Sequence, residues 1–491
     1  MDKLLDWKIP NNLSKSLDSY NGKIITRFAP EPSGYLHIGH MKALFINYII
    51  AKKYGGEIIL RIDDTNPMTE SREYELAIIE DVKKLINPDR ITHTSNYFEQ
   101  LLKFADILVS KDLAYVEEAD SQTISQERKD RIPSKNREIK PQTNKEYWEQ
   151  MKNGQKRVCS LRIKMDPLNA NGALRDPIIY RFVENNLYPT YDFACPIVDS
   201  LENITHVFRS SEFADRDDQY LNILKLLELN TIILSSFGKI NIQDEILSKR
   251  KIKQLIETRL IEGWDDPRVL TLRGAMRKGL TISGLWDYIQ KMGFSKNVIN
   301  SSATALWSLN LKHVDKRATR YTAIPIHEVC YGYLSHEHQR WLNETKRIAK
   351  FHKNPSLGDR ELKLFQSIIM DQKEASKIEI GEEITFINWC NGILTNRDQN
   401  KLNFQINPQG HFKSTEKKIL WIGNDLLDPP IPIKILEYGT NFSIYEKYLS
   451  GEPDMKNIRK GEFVQILRME YYICEKEYDV KLNNPLILIK I

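Results

Sequence analysis

The sequence predicts an α/β core built on a parallel sheet, followed by a helical stretch and a C-terminal β-rich region. Three observations carry this. A strand, a helix and a second strand follow one another within residues 23–62. Helical patterning dominates residues 249–316. After about Tyr321, short alternating apolar segments appear between Asn, Gly, Pro and Asp turns, the texture of a β-barrel or sandwich.

Taken in order, residues 23–28 (KIITRF) read as a short buried strand, and a Pro- and Gly-containing turn occupies residues 29–34. From about Ile38 to Tyr54, apolar Ala43, Leu44, Ile46, Ile49 and Ile50 recur at helical spacing, and Gly55-Gly56 ends the run. Residues 57–62 (EIILRI) form the next strand and lead into Asp63-Asp64-Thr65-Asn66-Pro67. Such a βαβ unit implies parallel strands with ligands at their carboxyl ends. A helix-rich insertion follows, and near Tyr188 the chain turns strand-like again, over residues 191–198. Amphipathic helices are expected over residues 255–261 and 284–292. The alternating segments of the C-terminal region are residues 380–389, 411–421, 462–467 and 485–491.

Length and composition bound the function. The 491 residues, 41% hydrophobic, can fill about three domains. Charged residues make up 28% and no long stretch is low-complexity, which argues against disorder. The apolar runs are far shorter than the roughly 20 residues a membrane span needs. The first ten residues carry Asp2, Lys3, Asp6 and Lys8 and resemble neither a secretory signal nor a transit peptide, so a cytoplasmic location is expected. The five cysteines lie far apart without CxxC spacing, which disfavours a disulfide framework or a cysteine zinc site. Net charge is only +5, yet residues 125–164 hold 12 Lys or Arg against 5 Asp or Glu. That excess fits either a solvated loop or a surface that meets phosphates.

The most informative segment is residues 29–40, APEPSGYLHIGH, between the first strand and the first helix. Amides at a helix N-terminus attract phosphate. Gly34 and Gly39 remove side chains where a backbone or nucleotide must come close. His37 and His40 share one side of the first turn and can donate hydrogen bonds to phosphate oxygens as charge develops. Taken alone, the same pair also fits a turn with two capping histidines, or a metal pair lacking a third ligand nearby.

His37–His40 (HIGH), the Asp63–Pro67 run and Ile246-Leu247-Ser248-Lys249-Arg250-Lys251 together resemble the glutamyl/glutaminyl branch of class I aminoacyl-tRNA synthetases. ILSKRK looks like this branch's form of the KMSKS loop. The resemblance is specific at residues 188–220 and at Gly263-Trp264-Asp265-Asp266-Pro267-Arg268, and weakest after about Asn343. It implies a Rossmann-type class I synthetase catalytic core with an inserted acceptor-binding domain, a helical connecting domain and C-terminal β-barrel anticodon-binding domains. The expected divisions are a leader at 1–22, the catalytic first half at 23–97, the insertion at 98–190, the second half at 191–250, the connecting domain at 251–320 and the anticodon-binding region at 321–491. No appended domain is expected before Lys23 beyond about 20 residues.

The resemblance also implies the chemistry: ATP, with Mg²⁺, activates an amino acid that is then transferred to tRNA. His37, His40 and Lys249 are the expected catalytic residues. ATP contacts are expected from Glu31, Pro32, Ser33, His37, Ile38, Gly39, His40, Lys42, Ser210, Lys239, Ile240, Leu247, Ser248, Lys249 and Arg250. Lys239 departs from the more usual Arg. No protein-bound metal is expected.

Arg209 decides the amino acid. A glutamate side chain needs a cation, which Arg supplies through two parallel bonds, whereas glutamine needs a neutral partner. Arg209, in HVFRSSEF, stands where glutaminyl enzymes carry Cys. Arg27 looks like a second carboxylate ligand, Asp63 aligns with the ammonium receptor, and Tyr191 and Cys195 look like pocket walls. The competing reading of Arg209 is an ion pair with Glu212 or Asp215. YDFACPIVDS further resembles glutamyl enzymes of the eukaryotic and archaeal type. The expected substrates are L-glutamate and tRNA(Glu); other synthetases or translation factors as partners are not readable. The alternatives are a glutaminyl enzyme, a HIGH-type nucleotidyltransferase acting on a small metabolite, and a catalytically dead tRNA-binding module. C-terminal aromatics such as Trp341, Trp389, Tyr471 and Tyr472 could stack on anticodon bases, though such residues are more often core.

Overall fold

The computed structural model describes residues 7–243, 245–335 and 344–491. The chain divides into two compact units, the first holding residues 1–255, 270–273 and 288–303 and the second holding the rest.

The first unit is organised on parallel strands. Ile25–Phe28, Glu57–Ile62 and Arg90–His93 form a three-stranded parallel sheet, with Phe28 opposite Leu60 and Ile62 opposite His93. A second parallel pair, His206–Ser210 with Ile233–Phe237, adjoins it. The junction runs through Thr205, whose N–H donates to the Ile25 carbonyl at 3.0 Å and whose hydroxyl accepts from the Ile25 N–H at 2.9 Å. A third parallel pair joins Ile240–Gln243 to Ile299–Ser302.

The first helix, Ile38–Lys53, is buried nearly all round, as its apolar sequence requires. Its polar interruption, Asn47, has a use. The Asn47 side-chain amide donates to the Phe208 carbonyl at 3.0 Å, and the Asn47 backbone carbonyl accepts from the Thr26 hydroxyl at 2.9 Å. One residue thereby ties the helix to strands from both halves of the sheet. Gly55, at φ +65°, and Gly56 close the helix: their amides donate to the carbonyls of Lys52 and Ala51 at 3.2 and 2.7 Å. A Cβ on Gly56 would lie 1.8 Å from the Ile24 carbonyl oxygen, so the return to the second strand requires glycine.

Residues 98–190 contain the helices Phe98–Ser110, Ser121–Asp130 and Pro141–Lys152 and a four-stranded antiparallel sheet, Ala114–Glu117, Ser160–Ile163, Ile178–Val183 and Asn186–Pro189. Leu101, Leu108, Trp148, Leu161 and Tyr180 form its core and continue onto Phe193, Ala194 and Ile197.

The strand expected over residues 191–198 is instead the helix Tyr191–Leu201, with Pro196 inside it. A continuous apolar run does not distinguish a buried strand from a buried helix. Tertiary burial decides: Phe193, Ala194, Ile197 and Val198 face the core, while Tyr191, Cys195 and Asp199 stack one turn apart. Farther on, the helix Lys249–Glu257 ends where residues 255–261 were expected to be helical; Arg259, at φ +55°, lies in the left-handed region. The helix Ile282–Met292 covers the other expected stretch.

The second unit contains two seven-stranded sheets. In one, the edge strands are Thr319–Tyr321 and Ala323–Pro325, separated in the chain by Thr322 alone. In the other, they are Lys418–Ile419 and Trp421–Gly423, separated by Leu420 alone. Each sheet therefore comes back to its own first strand and makes a near-closed barrel, which leaves little unpaired edge. Ile433, Leu449, Val464 and Leu488 fill the first, and Leu334, Phe386, Leu394 and Phe404 the second. Residues 411–421 are not the alternating strand expected. The His411 carbonyl accepts from the Ser414 amide and hydroxyl, a local turn that outcompetes sheet pairing until Lys418. Tyr472 is buried and Trp389 packs on Trp421, while Trp341 lies outside the described residues.

Candidate active site

A cleft of about 980 Å³ opens at the carboxyl ends of the parallel strands of the first unit. Of the residues expected from sequence, it is lined by Arg27, Glu31, His37, Gly39, His40, Asp63, Tyr191, Arg209, Ser210, Lys239, Ile240, Leu247, Ser248 and Lys249. Pro32, Ser33, Ile38, Lys42, Cys195 and Arg250 lie outside the lining. Ile38 and Lys42 are fully buried, and the Lys42 ammonium donates to the Gly238 carbonyl at 2.7 Å, bracing the helix against the turn before Ile240. Cys195 is buried behind Arg27, and Arg250 is exposed.

The two histidines cap their own helix. The His37 Nδ1 accepts from the Gly39 amide at 3.1 Å, and the His40 Nδ1 accepts from the His37 amide at 3.1 Å. The bland reading of the pair as capping residues is thus correct as far as Nδ1 goes. It also fixes the tautomer: an Nδ1 that accepts leaves the proton of the neutral ring on Nε2. Burial, reinforced by Lys249, pushes the His37 pKa down to about 3, and burial with His37 and Lys249 pushes His40 well below its usual value. Both rings are therefore neutral Nε2–H donors. Their centroids are 3.7 Å apart. Gly39 is needed for this stack, because a Cβ there would come within 2.8 Å of the His37 ring.

Lys249 opens the helix Lys249–Glu257 and reaches the turn before His37. Its ammonium donates to the Glu31 carbonyl at 2.8 Å and to the Ser33 hydroxyl at 3.2 Å. Burial lowers its pKa to about 8, against the opposing pull of Glu31. Lys239 pairs with Glu212 at 2.6 Å, and Ser210 caps the turn that carries Glu212.

On the opposite wall, Arg27 bonds through Nε to both Asp199 oxygens at 3.2 Å and through Nη2 to the Cys195 sulfur at 3.4 Å. Asp199 also receives Arg61, whose Nη1 reaches Glu202 at 2.8 Å. Burial alone would raise the Asp199 pKa, but Arg27 and Arg61 hold it below the usual range. Arg209 pairs with Asp217, through Nε at 3.1 Å and through Nη2, rather than with Glu212 or Asp215. Asp63 is buried at the end of the second strand, where burial raises its pKa to about 7 against the pull of Arg61. The Thr65 hydroxyl donates to it at 3.2 Å.

Sequence reasoning did not single out Asp199, Asp217, Tyr220, Arg61 or Glu202. The spacing of Tyr191, Cys195 and Asp199 was the available signal, since residues four apart share a helix face. Phe208, Phe213 and Phe237, which also line the cleft, carried no polar signature of a site, and Asn47 showed only as a polar break in an apolar helix.

The comparisons with known proteins agree on a family. Residues 23–316 match the model for tRNA synthetases class I (E and Q), catalytic domain, and residues 318–409 match the anti-codon binding domain of the same class. The chain belongs to the class I (E and Q) tRNA synthetases. It is 36% identical to the probable cytoplasmic glutamate–tRNA ligase of Schizosaccharomyces pombe, over 94% of this chain and 69% of that protein. It is also 36% identical to the probable cytoplasmic glutamate–tRNA ligase of Vairimorpha ceranae, over 95% of this chain and 79% of that protein. The bifunctional glutamate/proline–tRNA ligase of Cricetulus griseus is 34% identical over 93% of this chain, which spans only about a third (32%) of that longer protein.

Proposed function

We propose that this synthetase is a glutamate–tRNA ligase, which activates L-glutamate with ATP and transfers it to the 3′ end of tRNA(Glu) in cytoplasmic translation. The observation that carries the reading is the pair Arg27 and Arg209 in the same cleft as His37, His40 and Lys249. A substrate side-chain carboxylate supplies the acceptor such arginines bind through two parallel bonds, whereas a neutral amide turns N–H donors toward guanidinium groups that can only donate. The cytoplasmic assignment draws on the names of the relatives; among the described residues no helix is long and apolar enough to cross a membrane.

In this reading the α-carboxylate of glutamate attacks the α-phosphorus of ATP, the bond to the β-phosphate breaks and pyrophosphate leaves. The terminal ribose hydroxyl of tRNA then attacks the activated carbonyl and displaces AMP. No side-chain nucleophile is needed, so the protein's contribution is positioning and charge stabilisation. The Nε2–H groups of His37 and His40 donate to phosphate oxygens. Lys249 stabilises the charge that moves onto pyrophosphate, and its grip on Glu31 and Ser33 holds that loop over the turn. Ser210, Lys239, Ile240, Leu247 and Ser248 line the nucleotide end. Mg²⁺ enters with ATP, held mainly by phosphate oxygens and water. Asp63 receives the substrate ammonium. Residues 125–164, rich in Lys and Arg, face tRNA phosphates, which position without reading sequence.

The test is ATP–pyrophosphate exchange in the presence of tRNA, with glutamate and glutamine offered separately. Glutamate-dependent exchange is expected, followed by charging of tRNA(Glu). Preference for glutamine would overturn the reading, and exchange with neither, together with no salt-sensitive tRNA binding, would move it to a metabolite enzyme.

A further inference from the structure

The helix Asp217–Leu226 presents two residues on one face of its first turn, Asp217 and Tyr220. Asp217 holds the Nε side of Arg209. The Tyr220 ring lies 5.2 Å from the same guanidinium, and its hydroxyl donates to Asp199 at 2.8 Å. Asp199 in turn holds the Nε side of Arg27. One helical turn thus reaches both arginines, one directly and one through Asp199. Each arginine is gripped along its Nε side, and among the described residues neither Nη1 takes a protein hydrogen bond. Both arginines line the cleft. The support is itself braced: Asp199 is fully buried, and Arg61 and Glu202 behind it are buried and paired.

We propose that Asp217 and Tyr220 are positioning residues for amino-acid selection, with Tyr220 coupling Arg27 and Arg209 into one preorganised fork for the substrate's carboxylate groups. This rests on the glutamate reading above and deepens it. An arginine side chain is flexible, and fixing it on binding costs rotamer entropy unless its neighbours have fixed it already. The two acids and the tyrosine do that without using the Nη1 groups. Fixed spacing between two guanidinium groups favours a dicarboxylate over its amide, because the amide nitrogen brings donors to two groups that can only donate.

Tyr220→Phe keeps the ring and removes the hydroxyl; Asp217→Asn keeps the shape and removes the charge. Steady-state charging of tRNA(Glu) by the full chain is the measurement. Each variant should raise the KM for glutamate roughly tenfold and lower the preference for glutamate over glutamine, with the KM for ATP and kcat within about twofold of the parent. Asp217→Glu should recover part of the loss. Unchanged glutamate KM in both variants, or a parallel rise in the KM for ATP, would overturn the proposal. The Asp217 side chain is about a third exposed (32%), so its variant keeps the test open if Tyr220→Phe folds poorly. A parent protein that prefers glutamine sinks the functional reading; a parent that uses glutamate alongside parent-like variants sinks the coupling alone.

Discussion

The two walls of the cleft handle charge in opposite ways. On the wall proposed to meet phosphates, the phosphate wall, His37, His40 and Lys249 are bonded to neutral groups, backbone amides, a carbonyl and a hydroxyl, and burial drives all three toward their neutral forms. On the wall proposed to meet the amino acid, the amino-acid wall, Arg27 and Arg209 are each held by a carboxylate. In the proposed glutamate–ATP reading, the ligands explain the difference. ATP brings several negative charges, and neutral donors plus one ammonium held by neutral oxygens meet them without cancelling charge beforehand. An amino-acid side chain brings a single carboxylate, so its recognition depends on where the cation points. The phosphate wall is therefore tuned by burial, and the amino-acid wall by geometry.

This contrast is broken most severely by Arg209→Cys. Removing one partner of a buried charged contact costs about 2–5 kcal/mol, so glutamate kcat/KM should fall by roughly a thousandfold. The KM for ATP should stay near that of the parent, and pyrophosphate exchange at varied glutamate and ATP reads both. A comparable rise in the KM for ATP would mean that the two walls are not separate. Lys249→Ala acts on the other wall. Its loss should lower kcat by about 10²–10³ with glutamate KM nearly unchanged, the scale of one lost electrostatic stabiliser in a water-poor site.

His40→Ala should cost about a hundredfold in kcat for the same reason. It should also destabilise the fold by about 1 kcal/mol, because the ring caps the first helix through the His37 amide. Thermal unfolding separates the two effects. His40→Asn, which can still cap, should recover the stability and only part of the rate. Burial holds His37 at about 3 and pushes His40 in the same direction, well below its usual value, so no loss of kcat near pH 7 should trace to them; an inflection there removed by His40→Asn would contradict the neutral, Nε2–H assignment.

Part of this wall-to-wall contrast was legible in the sequence. His37, His40, Asp63, Arg209 and Lys249 stand in short motifs whose residue types announce their chemistry. Their supports did not. Asp199, Asp217 and Tyr220 reach the arginines only through tertiary packing, and the run just before Asp199, residues 191–198, reads as a strand because its apolar faces are buried on several sides. The βαβ core followed from periodicity and from Gly55-Gly56, whereas the closure of each barrel did not. It depends on strands of two or three residues on either side of Thr322 and Leu420, too short to show alternation.

The mildest prediction probes the one acid on the amino-acid wall that burial does control. Asp63 has its pKa raised to about 7, so it is largely protonated at pH 6 and ionised at pH 8. A protonated carboxyl cannot pair with the substrate ammonium. The KM for glutamate should therefore fall as pH rises from 6 to 8, by about fivefold between pH 6 and 7 and about twofold between pH 7 and 8. Asp63→Asn should show a high KM without that slope. Stability should move the other way. The folded chain retains a proton that the unfolded chain releases near the ordinary aspartate value. The stabilisation from that retained proton is complete below the unfolded pKa and is lost as pH rises through about 7. Denaturant titrations of the parent and of Asp63→Asn at pH 5 and 8 measure that difference. A parent whose stability relative to Asp63→Asn rises across this window would place the proton elsewhere, and Asp63 would then join the arginines as a group held by geometry alone.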